Sequence, residues 1–414
     1  MELLRQVSLN SLWILIARVS TQALGLVFVA VVARKLGVEV FGQYTVLASI
    51  VFIGNIFTTF GTDALIIRQI AQERRMTPLV SKALWLQICL SCVWCLAAVV
   101  ICAFLDFSFD FRAALILYNL SLLPLSLYSV VSSVLRAMER MDLFMGLNLC
   151  SMLLQMLGLI FLREGQIYGL LILCAWLFVV QVITSLIGLG VGRLYIPDFS
   201  LPMNFSFGEV FALARSGWRL ALFYPIGLFS QRLNVFVLTA FSGSSVTGWY
   251  SASARLVEGL KLGHFSLLNG LMPEMSRPIS VERKRLMDLS LYGLMAWSFF
   301  VAVGVTLFAA PIVTMIYGEA FEPSVMILKI VVWALVPYTF SSYFSVSLIM
   351  RGAERLVLNA NLICLAASAF LYVVLISEFG VRGAAWAALI LEALLASILL
   401  FGNFKRAFLE KHGT

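Results

Sequence analysis

The chain has 414 residues, of which 62% are hydrophobic and 12% charged, with a net charge of +8 and a mean hydropathy of +1.00. A soluble domain of this length has no core large enough to hide so much apolar surface, so lipid is the solvent for most of it. The positive charge calls for no nucleic-acid partner, because the cytoplasmic loops of membrane proteins collect Lys and Arg.

Apolar runs of the roughly 20 residues needed to cross a hydrocarbon layer follow one another almost without interruption. In the first half they are Ser11–Val32, Tyr44–Phe60, Ala83–Leu105, Ala114–Val134, Leu143–Leu162 and Ile167–Val191. In the second half they are Leu220–Phe241, Val246–Met272, Leu289–Ala309, Val325–Met350, Leu356–Ile376 and Gly383–Phe401. Unbroken apolar runs satisfy their own backbone groups as helices, whereas barrel strands would alternate polar and apolar residues. The expected fold is therefore an all-α integral membrane protein of about twelve transmembrane helices, in two pseudo-symmetric six-helix bundles around a central cleft. The expected divisions are an N-terminal bundle over 1–192, a cytoplasmic linker over 193–217 and a C-terminal bundle over 218–414 ending in a short cytoplasmic tail. The first run lacks a small-residue cleavage site before Arg34 and reads as a retained helix.

Orientation follows from the basic residues. With the N-terminus inside, the inner segments hold Arg68, Arg74, Arg75, Lys82, Arg136, Arg140, Arg193, Arg215, Arg283, Lys284, Arg285, Arg351, Arg355, Lys405 and Arg406, among others. The outer segments hold only Arg34, Lys35, Arg112, Arg163 and Arg382, so both termini are expected in the cytoplasm.

The chain also repeats itself. Gly37-Val38-Glu39-Val40-Phe41-Gly42-Gln43-Tyr44 matches Gly243-Ser244-Ser245-Val246-Thr247-Gly248-Trp249-Tyr250 at Gly, Val, Gly and Tyr. Arg136-Ala137-Met138-Glu139-Arg140 pairs with Arg351-Gly352-Ala353-Glu354-Arg355, each after a mid-helix proline, Pro124 and Pro337, and Gly169 pairs with Gly383. An even number of helices per half inserts both halves in the same orientation, so their interface is the natural substrate path.

All seven cysteines lie in or at the ends of apolar runs and suggest no disulfide framework. Cys89, Cys92 and Cys95 recur every third residue, but no His or acid accompanies them, and helix packing explains them better than a metal. No catalytic constellation stands out. The only histidines are His264 and His412, and no outer loop is long enough to house an enzyme's acid and base.

The interior charges are Arg18, Arg232, Arg255, Glu258, Lys261, Lys329 and Glu392, with His264 beside them. A charge at the centre of a membrane helix costs about 2.5–3.5 kcal/mol on insertion scales, so such residues face bundle interiors or water. Lys329 sits near the end of its run, where snorkelling to the headgroups competes with cavity lining. Arg255, Glu258, Lys261 and His264 recur every three residues, either as a structural ion-paired row or as a basic wall with one tuned acid. The bases outnumber the acids, and such a cavity would attract a polyanion such as a diphosphate and repel organic cations. Tyr44 and Tyr250 serve either as interfacial anchors or as substrate contacts.

The opening Asn10-Ser11-Leu12-Trp13 with Arg18, then Ala33-Arg34-Lys35-Leu36-Gly37 running into Phe41-Gly42-Gln43-Tyr44, resembles the start of bacterial polysaccharide and O-antigen flippases. These belong to the multidrug/oligosaccharidyl-lipid/polysaccharide (MOP) exporter superfamily. The resemblance continues through Phe60-Gly61, Gly248-Trp249-Tyr250-Ser251-Ala252 with Arg255-Leu256-Val257-Glu258, Pro273 and Ile316-Tyr317-Gly318. It implies an inner-membrane transporter, not an enzyme, that moves an undecaprenyl-diphosphate-linked oligosaccharide to the outer leaflet without a cofactor or bound metal. The cleft it implies carries Arg18, Arg232, Arg255 and Lys261, and with Glu258, Tyr44 and Tyr250 from the residue reading these are the expected substrate-binding residues. Many relatives carry an acid where this chain has Gln231 and Arg232, which leaves H+ or Na+ coupling open. A monomer is expected, with the polysaccharide polymerase or chain-length machinery as a further partner. Alternatives are a drug or metabolite exporter of the same superfamily, a peptidoglycan-precursor flippase, and a membrane polymerase or ligase.

Overall fold

The computed structural model describes the backbone of all residues except 1, 74–77, 105–106, 165, 167, 197–205, 224, 276–280 and 413–414. Side chains are further restricted by omission of 2–19, 216–223, 225–231, 262–263, 265–267, 269–275, 281–284, 286 and 406–412. The Arg18 side chain and the linker residues Pro197, Pro202, Asn204 and Phe205 thus lie outside the described residues. Two compact units divide the chain, Met1–Pro225 and Ile226–Thr414.

Unit 1 contains α1 (Glu2–Thr59), α2 (Thr62–Glu73), α3 (Pro78–Phe104), α4 (Phe109–Leu120), α5 (Leu122–Ala137), α6 (Met141–Gly158), α7 (Gly169–Tyr195) and α8 (Phe207–Phe223). Unit 2 is built from α9 (Pro225–Met275), α10 (Val281–Leu307), α11 (Ala309–Tyr317), α12 (Ser324–Val331), α13 (Leu335–Met350) and α14 (Glu354–His412). Among the described residues each of the twelve expected spans falls mainly on helix, with the fifth ending early at Gly158, and the all-α membrane architecture is the one found. The segment expected as a linker carries most of α8.

Three of these helices are hairpins. At about 1.5 Å per residue, a straight helix as long as α1 would be nearly three times the hydrocarbon thickness. Gly37 (φ 77°, ψ 173°), Gly243 (φ 84°, ψ 176°) and Gly380 (φ 56°, ψ −132°) interrupt α1, α9 and α14. In α9 the Asn234 amide donates to the Tyr250 hydroxyl at 3.0 Å. Sixteen residues of straight helix would hold them about 24 Å apart, so the arms fold back on each other. In α14 a Cβ added to Gly383 would collide with the Leu375 carbonyl oxygen, so the arms meet there too.

The repeat is visible in the backbone. Each half breaks its fourth span three residues before a proline: α4 gives way to α5 around Ser121 ahead of Pro124, and a short 3-10 turn, Val332–Ala334, precedes α13 and Pro337. Proline lacks the N–H that the fourth carbonyl before it would accept, so the ladder loosens at that place. In unit 1 neighbouring helices donate to carbonyls on either side of the break. The Ser91 hydroxyl and Cys95 thiol of α3 donate to Leu122 O at 3.3 Å and Asn119 O at 3.3 Å, and the Ser185 hydroxyl of α7 donates to Pro124 O at 2.6 Å.

The same two spans end alike. Glu139 (φ 60°) and Gly352 (φ 71°) are left-handed, and the next amides reach back five residues, Arg140 N to Leu135 O at 2.9 Å and Ala353 N to Leu348 O at 2.8 Å. This is the Schellman helix stop. It pairs Glu139 with Gly352, so the sequence match of Arg136 with Arg351 is two residues out of step with the fold.

Each unit has its own apolar centre. In unit 1, Ile66 and Ile70 of α2 pack with Leu84 of α3, Val130 and Val134 of α5 and Leu147 of α6. In unit 2, Leu268 of α9 packs with Leu294 of α10, Tyr343 and Leu348 of α13 and Leu399 of α14. Large apolar side chains also cover the outside, including Leu96, Phe104, Phe300 and Met315, as lipid requires. One basic residue of the expected outer loops has a defined structural role: Lys35 Nζ donates to Leu159 O at 2.7 Å and Leu162 O at 2.8 Å. It thereby closes the C-terminal end of α6, where carbonyls lack partners and a cation is favoured.

Candidate functional site

The second arm of α9 carries Arg255, Glu258, Lys261 and His264. Three residues turn a helix by about 300°, so the row slips about 60° per step and its two ends face opposite sides. The contacts follow that rotation.

At the Gly243-proximal end, Glu258 stands between two guanidiniums. Arg255 Nη1 donates to Oε2 at 3.1 Å, and Arg232 Nη1, from the first arm, lies 3.8 Å from Oε1. The Glu258 side chain is 41% exposed, against 15% for Arg232. A carboxylate so exposed at membrane depth faces water, since lipid would exclude it. Alongside, Tyr317 of α11 donates to Ala252 O at 3.1 Å.

Lys261 has turned into the unit. Its ammonium lies 3.8 Å from Glu392 Oε2 of α14 and 4.1 Å from the centre of the Tyr338 ring of α13, a cation–π contact. Glu392 is anchored in turn by the Ser341 hydroxyl at 2.7 Å.

His264 is fully buried. Its Nε2 is 2.7 Å from Ser298 Oγ of α10 and 2.9 Å from Thr339 Oγ1 of α13. Ser298 also reaches Leu294 O at 2.7 Å, and Thr339 reaches Leu335 O at 3.0 Å. Ser298 and Thr339 also hydrogen-bond to each other, and Nδ1 has no hydrogen-bond partner among the described residues, so His264 ties α9, α10 and α13 together through Nε2 alone.

The structure therefore gathers four of the sequence-derived candidates, Arg232, Arg255, Glu258 and Lys261, on one hairpin. It differs from the expectation of uncompensated charge: Glu258 serves both arginines, Glu392 serves Lys261, and Lys329 is exposed on α12. Tyr44 and Tyr250 are buried, 8% and 2% exposed, which removes the interfacial-anchor reading. Tyr250 is held by Asn234, and Tyr44 packs beside Phe41 with ring centres 6.4 Å apart. Sequence reasoning missed Asn234, Tyr338 and Ser341, whose residue types are ordinary in membrane helices. It also missed Asp63 of α2, which accepts from Ser129 of α5 at 2.8 Å and pairs with Arg136 at 3.5 Å. Among the described residues no cluster of His, Cys, Asp or Glu is arranged to hold a metal ion.

Residues 7–278 match the family described as polysaccharide biosynthesis protein, a stretch that includes the whole α9 row. No curated protein matches the chain significantly. Among solved structures, the lipid II flippase MurJ in an inward closed conformation is similar with a TM-score of 0.77 and 14% identity, over 94% of this chain and 87% of that one. An inward-facing multidrug resistance MATE family transporter of the MOP superfamily gives 0.70 and 14%, over 97% and 100%. A MOP superfamily transporter from Pyrococcus furiosus, whose reversed binding-pocket polarity suggests a different function, gives 0.63 and 15%, over 97% and 95%. At these identities the likeness establishes the fold, which is that of MOP transporters.

Proposed function

Because the chain belongs to the polysaccharide biosynthesis protein family and is a multi-pass membrane protein with a transporter fold, we propose that it is a lipid-linked oligosaccharide flippase. Its cargo is an undecaprenyl-diphosphate-linked repeat unit, such as an O-antigen unit, carried from the cytoplasmic to the outer leaflet of a bacterial inner membrane. Transport proceeds by alternating access: the protein opens first to one side and then to the other, and the lipid tail stays in the bilayer. No covalent step and no cofactor are involved. The protein works as a monomer with both termini in the cytoplasm, driven by H+ or Na+, and delivers its cargo to the polymerase and chain-length machinery.

The observation that carries this reading is the pair Arg232 and Arg255, brought from the two arms of α9 onto one water-facing carboxylate at membrane depth. Guanidinium groups are suited to phosphate oxygens because their donors form a planar fork. Lys261, one turn further along, is engaged by Glu392, and Arg18, whose side chain lies outside the described residues, is a phosphate-binding candidate from the sequence alone. A drug exporter of the same fold is the second reading, favoured by the likeness to MATE transporters. It fits a basic site less well, since organic cations would be repelled.

The test replaces Arg18, Arg232 and Arg255 singly with Ala in cells lacking the native copy. Surface polysaccharide is expected to fall in each strain, with lipid-linked repeat units accumulating on the inner leaflet. Normal polysaccharide in all three, at normal protein levels, removes the clamp.

A further inference from the structure

The two intramembrane carboxylates of unit 2 differ in how firmly they are held. Glu392 receives the Ser341 hydroxyl and is 20% exposed. Glu258 is about twice as exposed, and among the described residues it pairs with the two arginines, one on each oxygen. No hydroxyl or backbone amide among the described residues fixes it. It is a carboxylate on a flexible stem, lying across the two groups that the proposed function gives to phosphate.

We propose that Glu258 is a resident counter-ion: it occupies Arg232 and Arg255 when the protein is empty, and the diphosphate of the cargo displaces it. The inference rests on the flippase reading and adds a role in the return half of the cycle. Two neighbouring guanidiniums deprived of their shared carboxylate are costly to carry through a rearrangement at membrane depth. A loaded protein compensates them with the two charges of a diphosphate diester, and an empty protein compensates them with Glu258. The displacement needs only side-chain rotation, because the α-carbon stays on the helix while the carboxylate swings toward water.

This role separates affinity from turnover. A residue that merely aligns Arg255 would weaken binding when removed. A resident competitor strengthens binding when removed, but slows release and return, so that KM and the maximal rate fall together.

The experiment uses the full chain in proteoliposomes, with farnesyl-diphosphoryl-N-acetylglucosamine as the probe, a diester whose charge is fixed near neutral pH. Glu258→Gln is expected to bind the probe about tenfold more tightly and to transport it about tenfold more slowly. Glu258→Asp, whose shorter stem holds the arginines less well, is expected to fall between wild type and Glu258→Gln. It carries the test alone if Glu258→Gln does not fold. Binding equal to or weaker than wild type in the folded variants overturns the counter-ion role and leaves the flippase reading intact. Probe binding that is absent in wild type, or unchanged in Arg232→Ala and Arg255→Ala, overturns the clamp itself.

Discussion

Thr239 and Thr247 hydrogen-bond to each other at 2.8 Å across Gly243, joining the two arms of α9 at the point where the chain reverses. The reversal is made by one residue whose φ of 84° and ψ of 176° belong to a region that side-chain-bearing residues avoid. Gly37 has nearly the same angles in the other half. A Cβ added at either position meets nothing within 4 Å, so the penalty of substitution is backbone strain alone. Gly243→Ala and Gly37→Ala are each expected to cost about 1–3 kcal/mol. Gly190, in helical conformation and equally open, is the control. Gly190→Ala should be neutral or stabilising, and thermal unfolding in detergent distinguishes the two behaviours.

Lys35 closes the end of α6 by donating to two carbonyls. Lys35→Met keeps most of the stem and removes the donors, which leaves Leu159 and Leu162 without this partner. The expected loss is about 1–3 kcal/mol, read as a lower unfolding temperature, with affinity for a diphosphate probe unchanged. Reduced affinity at normal stability would instead place Lys35 in the binding machinery.

Lys261 and Glu392 are each less than one third exposed and lie 3.8 Å apart. Removing one partner strands the other, so Lys261→Met and Glu392→Gln should each destabilise, while the double variant should lose less than their sum. A double-mutant cycle by thermal unfolding is expected to return a coupling of about 1 kcal/mol. Additive losses would mean that the pair does not hold α9 to α14.

The proposed orientation is checked with reporters joined after Lys405. A fluorescent protein that matures only in the cytoplasm should light up there, and alkaline phosphatase, active only outside, should stay silent. The reverse result inverts the topology.

The sequence made the membrane class, the twelve spans and the repeat legible because lipid imposes long apolar runs and because turns keep their glycines. The register of the repeat was harder to read. Arg136 and Arg351 look equivalent in sequence, but the backbone pairs Glu139 with Gly352. A left-handed helix stop is a conformational requirement that Gly meets easily and Glu meets at some strain, so residue type does not mark it. The ionic row of α9 was readable from its three-residue spacing. Its neutralisation was not, because Glu392 lies far along the chain and Arg232 joins only once the hairpin closes. Tyr44 and Tyr250 read equally as headgroup anchors and as substrate contacts, because a buried tyrosine with a side-chain donor, as Asn234 supplies to Tyr250, has the same one-letter signature.

The broken fourth span has the same mechanical consequence in both halves. In unit 1, Ser91, Cys95 and Ser185 reach from two neighbouring helices to the carbonyls beside Pro124, so the bend is riveted on two sides and behaves as a bracket. Beside Pro337, Thr339 returns to Leu335 O and is also held by His264 of α9 and Ser298 of α10, while Ser341 of the next turn reaches Glu392 of α14. Both bends are thus pinned from neighbouring helices, and in each half the proline makes a stiff elbow and not a free hinge.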